Sequence, residues 1–151
     1  MKKIITPYLL IILAITVIFG LSIFCKRIDF KNPLLETAAY CLLFGMLGGI
    51  IYCIRGYYQH HSVLKNWDSS WEAWYFIRPI VSGVMGFISL VFIKAGLLVF
   101  ASDSNISVEG NKIIAYFAVA FIAGYNVQNF LVKLEDIFSV ILGIEKKVLP
   151  K

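Results

Sequence analysis

A chain of 151 residues that is 60% hydrophobic, with mean hydropathy +0.81, lies outside soluble globular composition, where roughly 45 to 50% of residues are apolar. Its 14 Lys and Arg against 9 Asp and Glu give +5, but the basic residues flank apolar runs instead of forming one tract. That pattern argues against direct nucleic-acid binding, names lipid headgroup as the acidic partner, and assigns the chain to the membrane class.

The first apolar run, Ile4 to Cys25, follows Lys2 and Lys3 and has the ~20 residues that cross a hydrocarbon core. It exceeds the apolar stretch of a signal peptide, roughly 7 to 15 residues, and lacks a small-residue exit, so it is expected to stay as an anchor. A second span is predicted over 34–54, after the Asn32-Pro33 turn. The segment that follows contains Ser69 three positions ahead of Glu72, a capping box that predicts a short interfacial helix over about 69–78 carrying Trp67, Trp71, Trp74 and Tyr75 in the headgroup layer or against a partner. The third span is predicted over 79–101, with Pro79 at its start and a bend at Arg78, and the fourth over 113–131. Val127, Phe130, Leu131, Leu134, Ile137, Phe138, Ile141 and Leu142 then recur at helical spacing, predicting an amphipathic C-terminal helix over about 127–147. The expected architecture is all-α. It is one polytopic membrane domain of four transmembrane helices, with an interfacial helix and an amphipathic tail.

Placing both termini and the 55–78 connection on one side gathers Lys2, Lys3, Arg55, Lys65, Arg78, Lys133, Lys146, Lys147 and Lys151, against Lys26, Arg27, Lys31 and Lys112 on the other. Positive charge retained in short loops marks the cytoplasmic side, so both ends are expected there, in a bacterial inner membrane.

Small residues that let helix backbones approach are the expected packing sites: Gly45 and Gly49 in a GxxxG spacing around Gly48, Ser82, Gly83 and Gly86, and Ala120 with Gly124. With few polar groups to enclose, the helices are expected to associate further as a homo-oligomer. Cys25, Cys41 and Cys53 have no CxxC spacing and read as small buried hydrophobes. Adjacent His60 and His61 diverge on a helix and read as solvated loop residues, so neither metal nor cofactor is expected.

Polar residues at membrane depth are the remaining candidates. Lys94 is expected inside the third span, either snorkelling toward Asp103 or Glu109 or facing a water-filled path. Asn126, Gln128 and Asn129 are expected to share a depth with Arg78 and to bond it or one another. Arg78 itself reads as an interface anchor or as a relay to the bundle. Glu135 and Asp136, on the polar face of the tail, favour protein packing over lipid for that helix.

The pair YFIRPIVSGVMG (75–86) and FIAGYN (121–126), with the amphipathic helix behind it, resembles a motif pair of uncharacterised small bacterial four-helix inner-membrane proteins. In architecture the chain is also similar to membrane subunits of antiphage defence systems of the Kiwa type. The resemblance implies a membrane subunit and no particular activity. The short loops hold no catalytic constellation, so the chain is expected to be a non-enzymatic subunit that oligomerises and anchors or scaffolds a soluble cytoplasmic partner. The alternatives are a pore-forming or membrane-depolarising effector and, third, a small transporter or channel.

Overall fold

The computed structural model describes residues 2–25, 30–64, 71–97 and 109–143. They form α1 (Lys2–Phe24), α2 (Pro33–Tyr58) continued by a π-helical turn (Gln59–Val63), α3 (Glu72–Lys94), α4 (Glu109–Tyr125) and α5 (Val127–Leu142). No strand occurs among the described residues. Three helices, within Ile5–Phe24, Pro33–His61 and Glu72–Lys94, are long and apolar enough to cross a membrane. A fourth crossing results if α4 and α5, which meet at a 107° bend, are counted as one span.

Local sequence explains the helix ends. Asn32 stays extended while its carbonyl accepts the N–H groups of Leu35 and Glu36, and Pro33 fills the first helical position, where a missing N–H costs nothing. Gly96 and Gly143 close α3 and α5 in left-handed conformations at φ 74° and 62°, which a side chain would resist. For that reason α3 ends at Lys94, short of the expected 101, and α5 at Leu142, short of 147.

Two other boundaries differ from the sequence expectation. The interfacial helix and third span are one continuous helix, with Pro79 inside it. The expected bend at Arg78 is absent as a helix break. Tyr8 of α1 donates its hydroxyl to the Phe76 carbonyl at 3.1 Å, next to the Tyr75 carbonyl that Pro79 leaves without a helical donor, and so ties α1 to this turn. The helix expected as the fourth span stops at Tyr125, because Asn126 leaves helical geometry at φ −118°, ψ 51°, so 127–131 belong to α5. Ser69 and Trp67 lie outside the described residues.

The core is backbone against backbone. A Cβ on Gly45 would lie 2.5 Å from the Ser82 carbonyl oxygen and 2.9 Å from Gly86 Cα, and one on Gly124 would collide with the Gly45 carbonyl. Gly48 faces the Phe121 carbonyl, Gly49 faces Ser82, and Gly83 faces Met46 in the same manner. These approaches set the helices in register. Ile5, Leu9, Cys53 and Tyr75 cluster on one side of them, while Cys41, Leu90 and Ala120 cluster on the other. From Tyr75 to Lys94 α3 rises about 28 Å at 1.5 Å per residue, close to the ~30 Å hydrocarbon thickness. Cys41 and Cys53 are buried as expected, whereas Cys25 is exposed just beyond α1. Exposed Leu10, Ile11, Ile15, Ile18 and Leu21 give α1 an outward apolar face suited to lipid.

Gly124→Val should cost about 1 to 3 kcal/mol by forcing α4 from α2, and so lower the unfolding midpoint in detergent by several degrees. Gly20→Ala, whose nearest new neighbour would be Leu43 Cδ1 at 3.9 Å, should not lower the midpoint.

Candidate functional site

At the end of the bundle marked by Tyr75, three helices contribute one aromatic and cationic layer. Tyr52, Arg55, Gly56 and Gln59 recur every three or four positions and so share a face of α2. Gly56 is required there by α3: a Cβ would meet the Tyr75 hydroxyl at 3.0 Å. The π-helical turn then widens the chain and carries His60 edge-on to Trp71, at 4.3 Å between ring centroids, and His61 flat against Tyr57 at 5.1 Å. Both histidines thus belong to a helical turn instead of a loop, His60 half-buried against a ring and His61 exposed to solvent beside one.

Arg78 occupies the back of this layer and is only 6% exposed. Its Cζ lies 4.8 Å from the Tyr52 ring centroid and 5.1 Å from that of Trp74, and its Nε has no hydrogen-bond partner. Tyr52 also packs against Trp74 at 5.8 Å and against Tyr125 at 5.5 Å. In front, Arg55 donates through Nη1 to the Tyr125 hydroxyl at 2.7 Å, linking α2 to the last residue of α4. Between these walls opens a cavity of about 630 Å³, lined by Tyr52, Arg55, Gly56, Gln59, His60, Trp71, Trp74 and Tyr75.

The structure gathers some of the expected residues and separates others. Trp71 and Trp74 line the cavity and Arg78 stands behind it. The amides of Asn126, Gln128 and Asn129 are exposed at the start of α5, and among the described residues Arg78 is held by the Tyr52 and Trp74 rings instead of by these amides. Lys94 is the last residue of α3, at the opposite end of the bundle, exposed with Nζ 5.3 Å from the Tyr116 ring centroid. It ends the helix instead of interrupting it. On α5, Glu135 is exposed and Asp136 half-buried, the latter beside a second groove with Lys133, Phe130 and Ile122. Gly45, Gly49, Gly83, Gly86 and Gly124 take the packing positions assigned to them.

Tyr52, Arg55, Gln59 and Tyr125 were not singled out by the sequence. The spacing of Tyr52, Arg55 and Gln59 along one helical path was available as a signal, but Arg55 sits past the apolar run and reads there as a loop charge, and nothing in the sequence joins Tyr125 to them. No group of three His, Cys, Asp or Glu that could hold a metal occurs among the described residues. No family model, curated protein or solved structure matches the chain.

Burying the Arg78 guanidinium, which stays protonated in proteins, costs several kcal/mol, and two desolvated cation–π contacts return about 2 kcal/mol each. Arg78→Met should therefore keep or raise the unfolding midpoint in neutral detergent. Arg78→Lys, which retains the charge but cannot stack as a plane, should lower it. A midpoint lowered by Arg78→Met would show that a counter-charge holds the guanidinium.

Proposed function

We propose that the chain is a non-enzymatic membrane subunit with four crossings, both termini cytoplasmic in a bacterial inner membrane. It assembles with copies of itself and holds a soluble partner at the inner face through α5 and the Trp67–Tyr75 segment. The observation that carries this reading is the 107° turn at Asn126, which directs the most amphipathic of the five helices away from the axis of α4. Among the described residues, only part of its apolar side is used. Val127 and Leu134 are buried and Phe138 meets Phe92 at 5.7 Å, while Leu131, Val132 and Val140 remain exposed and Glu135 lies on the open face. An outward acidic and apolar edge suits protein better than an anionic bilayer.

The glycine contacts also favour an anchor over a pore within one chain. Where α2, α3 and α4 cross, backbone meets backbone and leaves no room for water. A pore would have to form between chains, and then Lys94 and the Asn126 amides are its lining candidates. A role in antiphage defence is one setting in which such a subunit would act.

Intact tagged protein taken from the native membrane in mild detergent should retain a stoichiometric soluble protein, and Glu135→Lys with Asp136→Lys should release it. The reconstituted protein should conduct no ions. Conductance in the absence of any retained partner would instead establish the pore. Orientation is tested by a membrane-impermeant maleimide, which should reach exposed Cys25 from the periplasmic side only, with Cys41 and Cys53 unreactive.

A further inference from the structure

We propose that the cavity between Arg55, Gln59 and His60 on one wall and Trp71 and Trp74 on the other binds a phosphate-bearing ligand. This site is separate from the anchoring role above. Every described lining residue is basic or neutral, so the described walls offer donors and positive charge and set no carboxylate against an anion. Residues 65–70, which join the two walls, lie outside the described residues. Of the five N–H donors of Arg55, one goes to Tyr125, which fixes the direction of the fork; a planar fork of this kind matches phosphate oxygens in pairs. Gln59, exposed beside it, adds an amide donor.

A second positive charge stands behind the wall. Arg78 is buried and makes no ion pair among the described residues, Glu72 included, so the field of its charge is not cancelled locally. That charge acts through Tyr52 and Trp74, whose rings it touches and which themselves line the cavity. A buried unpaired cation is costly, and an anion bound in front of those rings lowers the cost. The volume of about 630 Å³ is that of a small-ligand site, and the aromatic walls suit an amphipathic molecule at the edge of the apolar layer. Such a phosphate belongs either to a lipid headgroup or to a soluble solute. The recognition chemistry is the same for both.

The chain has three tryptophans, at positions 67, 71 and 74, so tryptophan emission of the intact protein, excited where tyrosine does not absorb, reports from this segment of the sequence alone. In neutral detergent, phosphatidylglycerol or inorganic pyrophosphate should change that emission saturably, and whichever saturates identifies the source of the phosphate. Phosphatidylcholine, whose phosphate is already neutralised by choline, should bind more weakly. Arg55→Gln should weaken binding about tenfold. Gln59→Glu, which sets a carboxylate in the cavity within reach of Arg55, should do the same. Lys31→Gln, exposed at the far end of α2, should not. If one cavity variant elutes as aggregate, the other decides. The proposal is overturned by no saturable response to either ligand, or by equal binding of phosphatidylcholine. It is also overturned if folded cavity variants bind like the parent, or if Lys31→Gln weakens binding as much as they do.

Discussion

The direct approach of helix backbones at Gly45, Gly86 and Gly124 is the constraint on which the remaining geometry depends. Apolar side chains gain nothing by leaving lipid for one another, so association must come from close van der Waals contact, and only residues without a Cβ permit it here. Once Gly45 lies against both Gly86 and Gly124, the levels of the other residues on α2, α3 and α4 follow from helical rise. Tyr52 comes level with Trp74 and Tyr125, Gly56 comes level with Tyr75, and Cys41 reaches Leu90 and Ala120. The cavity at one end of the bundle is therefore a consequence of glycine positions up to a few turns away from it.

Within that register Arg78 is the residue whose presence packing alone does not account for. An apolar side chain would fill the space between Tyr52 and Trp74 without the desolvation that a guanidinium incurs, and the stacking it gains, about 4 kcal/mol for two contacts, at best balances that cost. Ser82, one turn further along α3, is likewise buried with an unpartnered hydroxyl, but a neutral hydroxyl is a far smaller penalty and its small size serves Gly49. Charge, not volume, sets Arg78 apart.

The apolar spans, the small-residue stripe and the amphipathic tail were legible because each depends on a periodicity carried by consecutive residues. What the sequence could not give is whatever depends on two helices at once. Proline before a Gly-rich run reads as the start of a helix, yet α3 begins at Glu72 and continues through Pro79, and the turn before it is held by Tyr8, nearly seventy positions upstream, on the Phe76 carbonyl. Lys94 reads as a charge inside a span because Leu97 and Leu98 follow it, but Gly96 turns the chain first. Arg55 reads as the first charge of a loop, although α2 and its π-helical turn carry the helical path past it and Tyr125 binds it. Trp71, Trp74, Tyr75 and Arg78 were found by residue type. Arg55 and Gln59 were hidden by a boundary placed where apolarity ended instead of where the helix did, and Tyr52 and Tyr125 lay inside predicted spans as aromatics with nothing in the sequence to pair them.

The same reasoning gives the amides near Asn126 a purpose other than the one their proximity to Arg78 suggested. Breaking a helix at Asn126 opens a new one, and the first turn of α5 begins with N–H groups that have no carbonyl behind them. Asn126 itself keeps its bonds to both sides, donating its N–H to the Ile122 carbonyl at 2.9 Å and accepting from Phe130 at 3.0 Å. The donors of Val127, Gln128 and Asn129 are the ones left over, and in hydrocarbon each would cost several kcal/mol. A turn of this angle is therefore tolerable only where polar atoms or water are close. The residues that occupy it are polar ones, and the ring of Tyr125 just before it lies in the Tyr52 layer. The break and the aromatic layer coincide because the backbone of α5 cannot begin deeper in the apolar layer.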